Sequence, residues 1–191
     1  MNIIHFQPQE RKYVNPFLRL PFQVYKDIPQ WVPPLSVDQK KCFNLRNPFY
    51  QHSTAAFFLA VSAKGTPLSR LVIINNRNYN EFHQQKTAFF WMFEAFDDEV
   101  VSQAIFNAGF EWARSQGLDK IIGPKGFTAL DGSGLLVNGF EHRPALGLPY
   151  NPEYYPKLVE STGFQFRSDT VSGYLSSDAQ LPDKIHHIAD L

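Results

Sequence analysis

Residues 56–75, AFFLAVSAKGTPLSRLVIIN, place two apolar, β-prone runs on either side of a short turn holding Lys64-Gly65 and Pro67. That pattern predicts a β-hairpin. TAFFWMFEAF (87–96) is apolar on both of its faces, which predicts a central strand, with Glu94 sharing a face with Phe90, Met92 and Phe96. Val101, Ala104, Ile105, Ala108 and Trp112 then recur at helical spacing, and Gly117 marks the end of that helix. LDKIIGP, closing at Pro124, predicts a second buried strand.

The flanks are less regular. MNIIHFQP at the start alternates weakly, as a first strand would, and Phe17, Leu18, Phe22 and Tyr25 line one face of a predicted helix that tolerates Pro21. Pro29, Pro33 and Pro34 then impose an extended path, because proline lacks the amide donor and restricts its predecessor. Residues 36–53 read as a mixed connector, and 76–86, NRNYNEFHQQK, as a polar loop without periodicity. The Gly- and Pro-rich stretch 125–151 is long for a loop, and such loops carry function or structure of their own. PEYYPKLVESTGF predicts a short helix ended by Gly163, FQFRSDTVSGYL a further strand, and 176–191 the start of another helix. A hairpin followed by β–α–β–(insert)–α–β is the order of an α/β fold with a mixed sheet and helices on its faces. Residues 1–175 are expected to form one domain, and 176–191 a linker or a helix cut short.

Composition narrows the function classes. The chain has 191 residues, 43% of them hydrophobic, with 18 Phe, 8 Tyr and 3 Trp, enough for a real core. Its 18 basic and 18 acidic residues cancel, which argues against a nucleic-acid partner. The lone Cys42 suits a reducing compartment, no apolar run is long enough to span a bilayer, and MNIIHFQPQERK is not a signal peptide, so a cytoplasmic location without membrane attachment is expected.

Glu94 is the one carboxylate in an otherwise apolar strand. Burial raises a carboxyl pKa toward the range of a general base, and the alternative is a strand-end carboxylate in water or paired with an arginine. Tyr154 and Tyr155 offer a general acid or an aromatic wall, or are packing residues of a short helix. Asn151 stands where a helix cap is needed. In GPKG (123–126), Gly123 and Lys125 bring a turn and a cation to a strand end, where open α/β sheets bind ligands, or Lys125 is a solvated loop lysine. The six histidines and Cys42 have no metal-ligand spacing, and no P-loop or G-x-G-x-x-G occurs.

The order of elements, the hairpin FFLAVSAKGTPLSR and the helix YYPKLVESTGFQF together resemble the GNAT superfamily of acyl-CoA-dependent N-acyltransferases. More narrowly, WVPPL (31–35), NPF (47–49), NEFH (80–83), FEAFDD (93–98), GP (123–124), GLLVNGF (134–140) and YNPEYYPKLVESTGF (150–164) resemble a little-characterised bacterial GNAT-like family. Its members run to about twice this length, so the resemblance implies one lobe of a longer architecture, with room for a second lobe or a homo-oligomer. It implies transfer of an acetyl or other acyl group from CoA to a small-molecule amine, with Glu94 as base and Tyr155 as acid. Phe93, Gly123, Lys125, Asn151 and Tyr154 would then lie toward the acyl-CoA. Two departures stand out. The superfamily's usual tyrosine acid lies four residues before the glycine of the Gly-Phe pair, which here is Val159, and Tyr155 sits about one turn earlier on the same helical face. Where acyl-CoA-binding members have a Gly-rich pyrophosphate loop, Phe96 runs through Asp97, Asp98 and Glu99 straight into the helix. Those carboxylates stabilise a helix start and repel a phosphate. A non-catalytic lobe that supports a second lobe or holds an apolar ligand is the alternative function.

Overall fold

Alternate residues of a strand face opposite sides of the sheet, and here both sides are apolar and covered. The computed structural model describes residues 1–128, 130–145, 147–173, 176 and 178. Five strands, β1 (Asn2–Phe6), β2 (Thr54–Val61), β3 (Pro67–Asn75), β4 (Thr87–Ala95) and β5 (Lys120–Ile122), form one sheet in the order β1-β2-β3-β4-β5. Neighbours from β1 to β4 are antiparallel, and β4 pairs with β5 in parallel. The expected mixed sheet with helices on its faces is what forms, and the predicted hairpin is β2–β3.

Helices α4 (Glu99–Ser115) and α5 (Tyr155–Ser161) cover one face, where Phe58, Leu71, Ile73 and Phe90 pack with Ile105, Phe106, Tyr155 and Leu158. Helix α4 comes close to β3 because Gly109 has no side chain: a Cβ there would lie 2.9 Å from Ile73 Cγ1. Helix α1 (Arg11–Val24), the segment around Cys42 and Phe127 of the insert cover the other face, over Phe57, Leu59, Val72, Ile74 and Phe89.

Several local expectations change. The polar stretch after β3 contains a helix, α3 (Arg77–His83), with no buried residue. It lacks apolar periodicity because its packing rests on Tyr79, edge-on to Phe89 at 4.8 Å, and it is held by the Asn76 side chain accepting from Tyr79 N at 3.1 Å. The connector 36–53 contains α2 (Ser36–Lys41) and a 3-10 turn, Pro48–Gln51. In α1, Phe22 points outward rather than into the core. Residues 164–173 hold no strand, and most of the expected terminal helix lies outside the described residues.

The difference that matters most is inside β4. Arg70 pairs with Glu94 and Val72 with Trp91, so Leu71 faces both Met92 and Phe93. This is a β-bulge. Met92 takes a positive φ of 49° to make it. The alternation slips by one residue there: Phe90, Phe93 and Ala95 face α4, while Glu94 turns to the α1 side with Arg70. Glu94 therefore does not share a face with Phe90.

Candidate active site

Three elements converge on the Glu94 carboxylate of β4. β3 supplies Arg70, whose Nη2 lies 3.5 Å from Glu94 Oε1. The C-cap of α1 supplies Tyr25, whose hydroxyl donates to Glu94 Oε2 at 2.7 Å. From the opposite face, α5 sends Tyr155 around the edge of β4, and its hydroxyl donates to the same oxygen at 2.7 Å. Glu94 keeps a side-chain exposure of 14%, against 3% for Arg70. Arg70 is fixed in turn by donating from Nη1 to Phe17 O at 3.0 Å and by lying over the Phe17 ring.

Tyr155 also accepts from Ala95 N–H at 3.0 Å, and Tyr154 donates to Ala95 O at 2.9 Å. The two tyrosines thus clasp the end of β4 on the side away from β3. Lower down, Lys125 N donates to Phe90 O at 2.8 Å, just past the end of β5. Between these clasps, no strand among the described residues lies beside Trp91 to Glu94 on that edge.

Burial raises the Glu94 carboxyl pKa, and Arg70, Tyr25 and Tyr155 oppose that rise. Burial, then the charge of Glu94, holds the Tyr25 and Tyr155 hydroxyls well above their ordinary range. Tyr154 is pushed up to about 12 by burial and by Asp97 and Glu94. All three tyrosines are therefore neutral donors at neutral pH.

The hydroxyl protons allow two satisfied states. Each phenol carries one proton. Tyr155 has its oxygen engaged by Ala95 N–H, so its proton goes to Glu94. Tyr25 has a second acceptor, Tyr150 O at 3.2 Å. With Glu94 ionised, both phenols donate to it. With Glu94 protonated on Oε2, the acid can donate to Tyr25, whose own proton turns to Tyr150 O. The carboxyl can thus gain and lose a proton without leaving a polar group orphaned.

The two residues expected to be catalytic are therefore in contact. Phe93 is buried with its ring 5.4 Å from that of Tyr155. Gly123 passes so near β4 that a Cβ would sit 2.6 Å from Phe90 O. Lys125 lies elsewhere: its Nζ rests over the Tyr79 and Phe89 rings, at 4.8 and 4.7 Å, on the α1 side of the sheet. Asn151 does not cap α5, whose N-cap is Tyr154. Its buried amide instead accepts from Leu136 N at 2.7 Å and donates to Leu136 O at 3.1 Å, tying down the insert. Tyr25 and Arg70 were not singled out by the sequence. An arginine inside the apolar β3 run was the available signal for one of them.

At the start of α4, Asp98 caps the helix by accepting from Val101 N at 3.0 Å, and Glu99 pairs with Lys157 at 2.9 Å. With Asp97 alongside, this first turn does not fit a pyrophosphate. Among the described residues no group of His, Cys, Asp and Glu could hold a metal ion, and no helix is long and apolar enough to cross a membrane.

The fold has counterparts among solved structures. An aminoglycoside acetyltransferase, meta-AAC0020 from an uncultured soil metagenomic sample, crystallised with sisomicin, superposes with a TM-score of 0.54, covering 92% of this chain and 95% of its own at 11% identity. The BH1408 protein of Bacillus halodurans superposes at 0.52, covering 92% and 100%, at 15% identity. The fold is that of the GNAT acetyltransferases. No protein-family model matches the chain. By sequence the GNAT-fold chain is similar to protein YghO of Escherichia coli (strain K12), 29% identical over 179 residues, covering 91% of this chain and 46% of the relative. It is also similar to a bacterial ceramide synthase of Caulobacter vibrioides (strain NA1000 / CB15N), 26% identical over 169 residues, covering 87% and 44%. The chain spans about half the length of these curated relatives.

Proposed function

We propose that this domain is an acyltransferase lobe that moves an acyl group, acetyl or longer, from an acyl-CoA thioester to a small-molecule amine in the cytoplasm. The observation that carries the assignment is the contact of Glu94 with Tyr155 beside the open edge of β4. The fold is consistent with it, and so is the similarity to a ceramide synthase, since a ceramide is the amide of a fatty acid and an amino alcohol.

The chemistry balances. The amine nitrogen attacks the thioester carbonyl, a C–N bond forms, the C–S bond breaks, and one proton must pass from nitrogen to sulfur. Glu94, with its pKa raised, takes the proton from the amine. Tyr155 gives its phenolic proton to the thiolate and regains one from Glu94. Donation by Tyr155 alone would be uphill, because its own pKa is raised. The hydrogen bond to a protonated Glu94 removes that obstacle. Phe93, Gly123, Asn151 and Tyr154 act by shaping the β4 edge along which the acyl donor's arm lies. Lys125, on the other side of the sheet, is the cation offered to the donor's distal phosphates, which bind away from the acidic start of α4.

The test is thiol release from acetyl- and longer acyl-CoA with a panel of primary amines, alongside calorimetric titration with CoA. Glu94→Gln and Tyr155→Phe should each lower kcat by about a hundredfold or more while CoA binding persists. A second assignment, a supporting lobe without catalysis, draws on the Asp98 cap that fills the α4 start. A folded chain that binds no acyl-CoA at millimolar concentration would establish the second assignment and end the first.

A further inference from the structure

The neutral total charge conceals a separation across the sheet. Residues 11–46, which run through α1 and α2, hold seven basic residues against two acidic, a net of +5. On the far side, α4 and α5 with the residues leading into them, 97–115 and 153–161, hold six acidic against two basic, a net of −4. The sheet lies between these layers, because α1 and the Cys42 segment pack on one face and α4 and α5 on the other.

The positive layer also presents apolar side chains to water. The inward stripe of α1 holds Phe17, Leu20 and Pro21, so Arg11, Asn15, Arg19 and Phe22, at i, i+4, i+8 and i+11, form its outward stripe. No carboxylate lies within α1. In and around α2, Gln39 and Cys42 are buried, while Leu35, Val37 and Leu45 are 71%, 68% and 48% exposed, and Lys40, Lys41 and Arg46 are exposed as well. Arg11, Arg19, Lys40 and Arg46 form no salt bridge among the described residues, so their charge is not cancelled locally. A nucleic acid would use these cations and leave the aliphatic side chains in water. A bilayer surface uses both: its anionic head groups meet Lys and Arg, and the acyl boundary beneath receives apolar side chains.

We infer that the α1–α2 side of the domain docks on the head-group layer of an anionic bilayer, with α4 and α5 turned to the water. Such attachment needs no helix that crosses the membrane. It departs from the expectation of a chain without membrane attachment, which rested on the lack of a long apolar run. It stands independently of acyl transfer.

The experiment is co-sedimentation of the chain with large vesicles, of phosphatidylcholine alone and of equal parts phosphatidylcholine and phosphatidylglycerol. Binding should appear with the anionic vesicles. It should fall at least about tenfold without the anionic lipid, or when salt rises from about 0.05 to about 0.5 M. Arg19→Gln and Lys40→Gln should each weaken it about fivefold, the worth of one cation near such a surface. Val37→Ser and Leu45→Ser should each weaken it several-fold by removing apolar area that leaves water. Arg114→Gln, on the α4 side, is the control and should change nothing. All five positions are exposed, and substitution there leaves the fold in place.

Equal binding to the two vesicles, or none at low salt, overturns the inference. So does Arg114→Gln weakening binding as much as Arg19→Gln, which would mean attraction without orientation. Binding that Val37→Ser and Leu45→Ser leave intact, and that duplex DNA displaces, would assign the surface to a nucleic acid and overturn it too.

Discussion

Replacing Tyr155 by phenylalanine removes one oxygen from the interior and disturbs two partners at once. The hydroxyl accepts from Ala95 N–H and donates to Glu94, and Ala95 is fully buried. Orphaning a buried N–H costs about 1–3 kcal/mol, and losing a hydrogen bond to a charged group about 1.5–3. The two losses share one site and are not additive, so the net destabilisation is about 2–4 kcal/mol. For a chain of this size that lowers Tm by roughly 5–15 °C. Tyr154→Phe is the internal control. It removes one neutral hydrogen bond to Ala95 O from a half-buried position, worth about 0.5–1.5 kcal/mol. Urea unfolding followed by tryptophan fluorescence should show both variants with unchanged m and separated midpoints, Tyr155→Phe the lower. If Tyr155→Phe costs less than about 1 kcal/mol, or no more than Tyr154→Phe, its hydroxyl is not the bridge described here.

Because the folded Glu94 carboxyl has its pKa raised, the folded state holds this proton to higher pH than the unfolded state does. Its contribution to stability is greatest below the unfolded value of about 4.3 and is lost as pH rises toward the folded one. Glu94→Gln lacks this loss, so wild type should fall in stability relative to the variant between acid and neutral pH in parallel urea titrations; a constant difference would contradict the raised pKa. Asp98→Ala should cost about 1 kcal/mol through loss of the bond from Val101 N, read as a lowered urea midpoint, and an unchanged midpoint would mean that the cap contributes nothing.

The hairpin and helix α4 were legible because each rests on a repeated local signal: two β-prone runs about a glycine turn, and apolar residues at helical spacing closed by Gly117. The acidic run Asp97 to Glu99 was legible as a helix start, and Asp98 is the residue that caps it. The site was legible in part. Glu94 and Tyr155 stood out as a carboxylate in an apolar strand and a tyrosine on a short helix. Their contact did not, because it spans 61 residues of sequence and depends on a backbone irregularity. Tyr25 read as one more apolar position of α1, since its ring does pack; only its hydroxyl reaches the site. Helix α3 was missed because a solvated helix held by a cap carries no periodic signature. Asn151 read as a cap because asparagine before a helix often is one, whereas the insert had a stronger claim on its amide.

The bulge at Met92 makes this site a matter of counting rather than of composition. Flattening the bulge with all its residues kept would carry the carboxylate to the α4 face and away from Arg70, whereas deleting Met92 would restore regular alternation with Glu94 still opposite Arg70. Exchanging Met92 for glycine or asparagine, which accept its backbone angle readily, would leave the count intact. Lineages descended from such a fold can thus vary the residue at this point, or lose it, without turning Glu94 from Arg70, whereas one residue added here would mark a changed active site even where every polar residue around it is preserved.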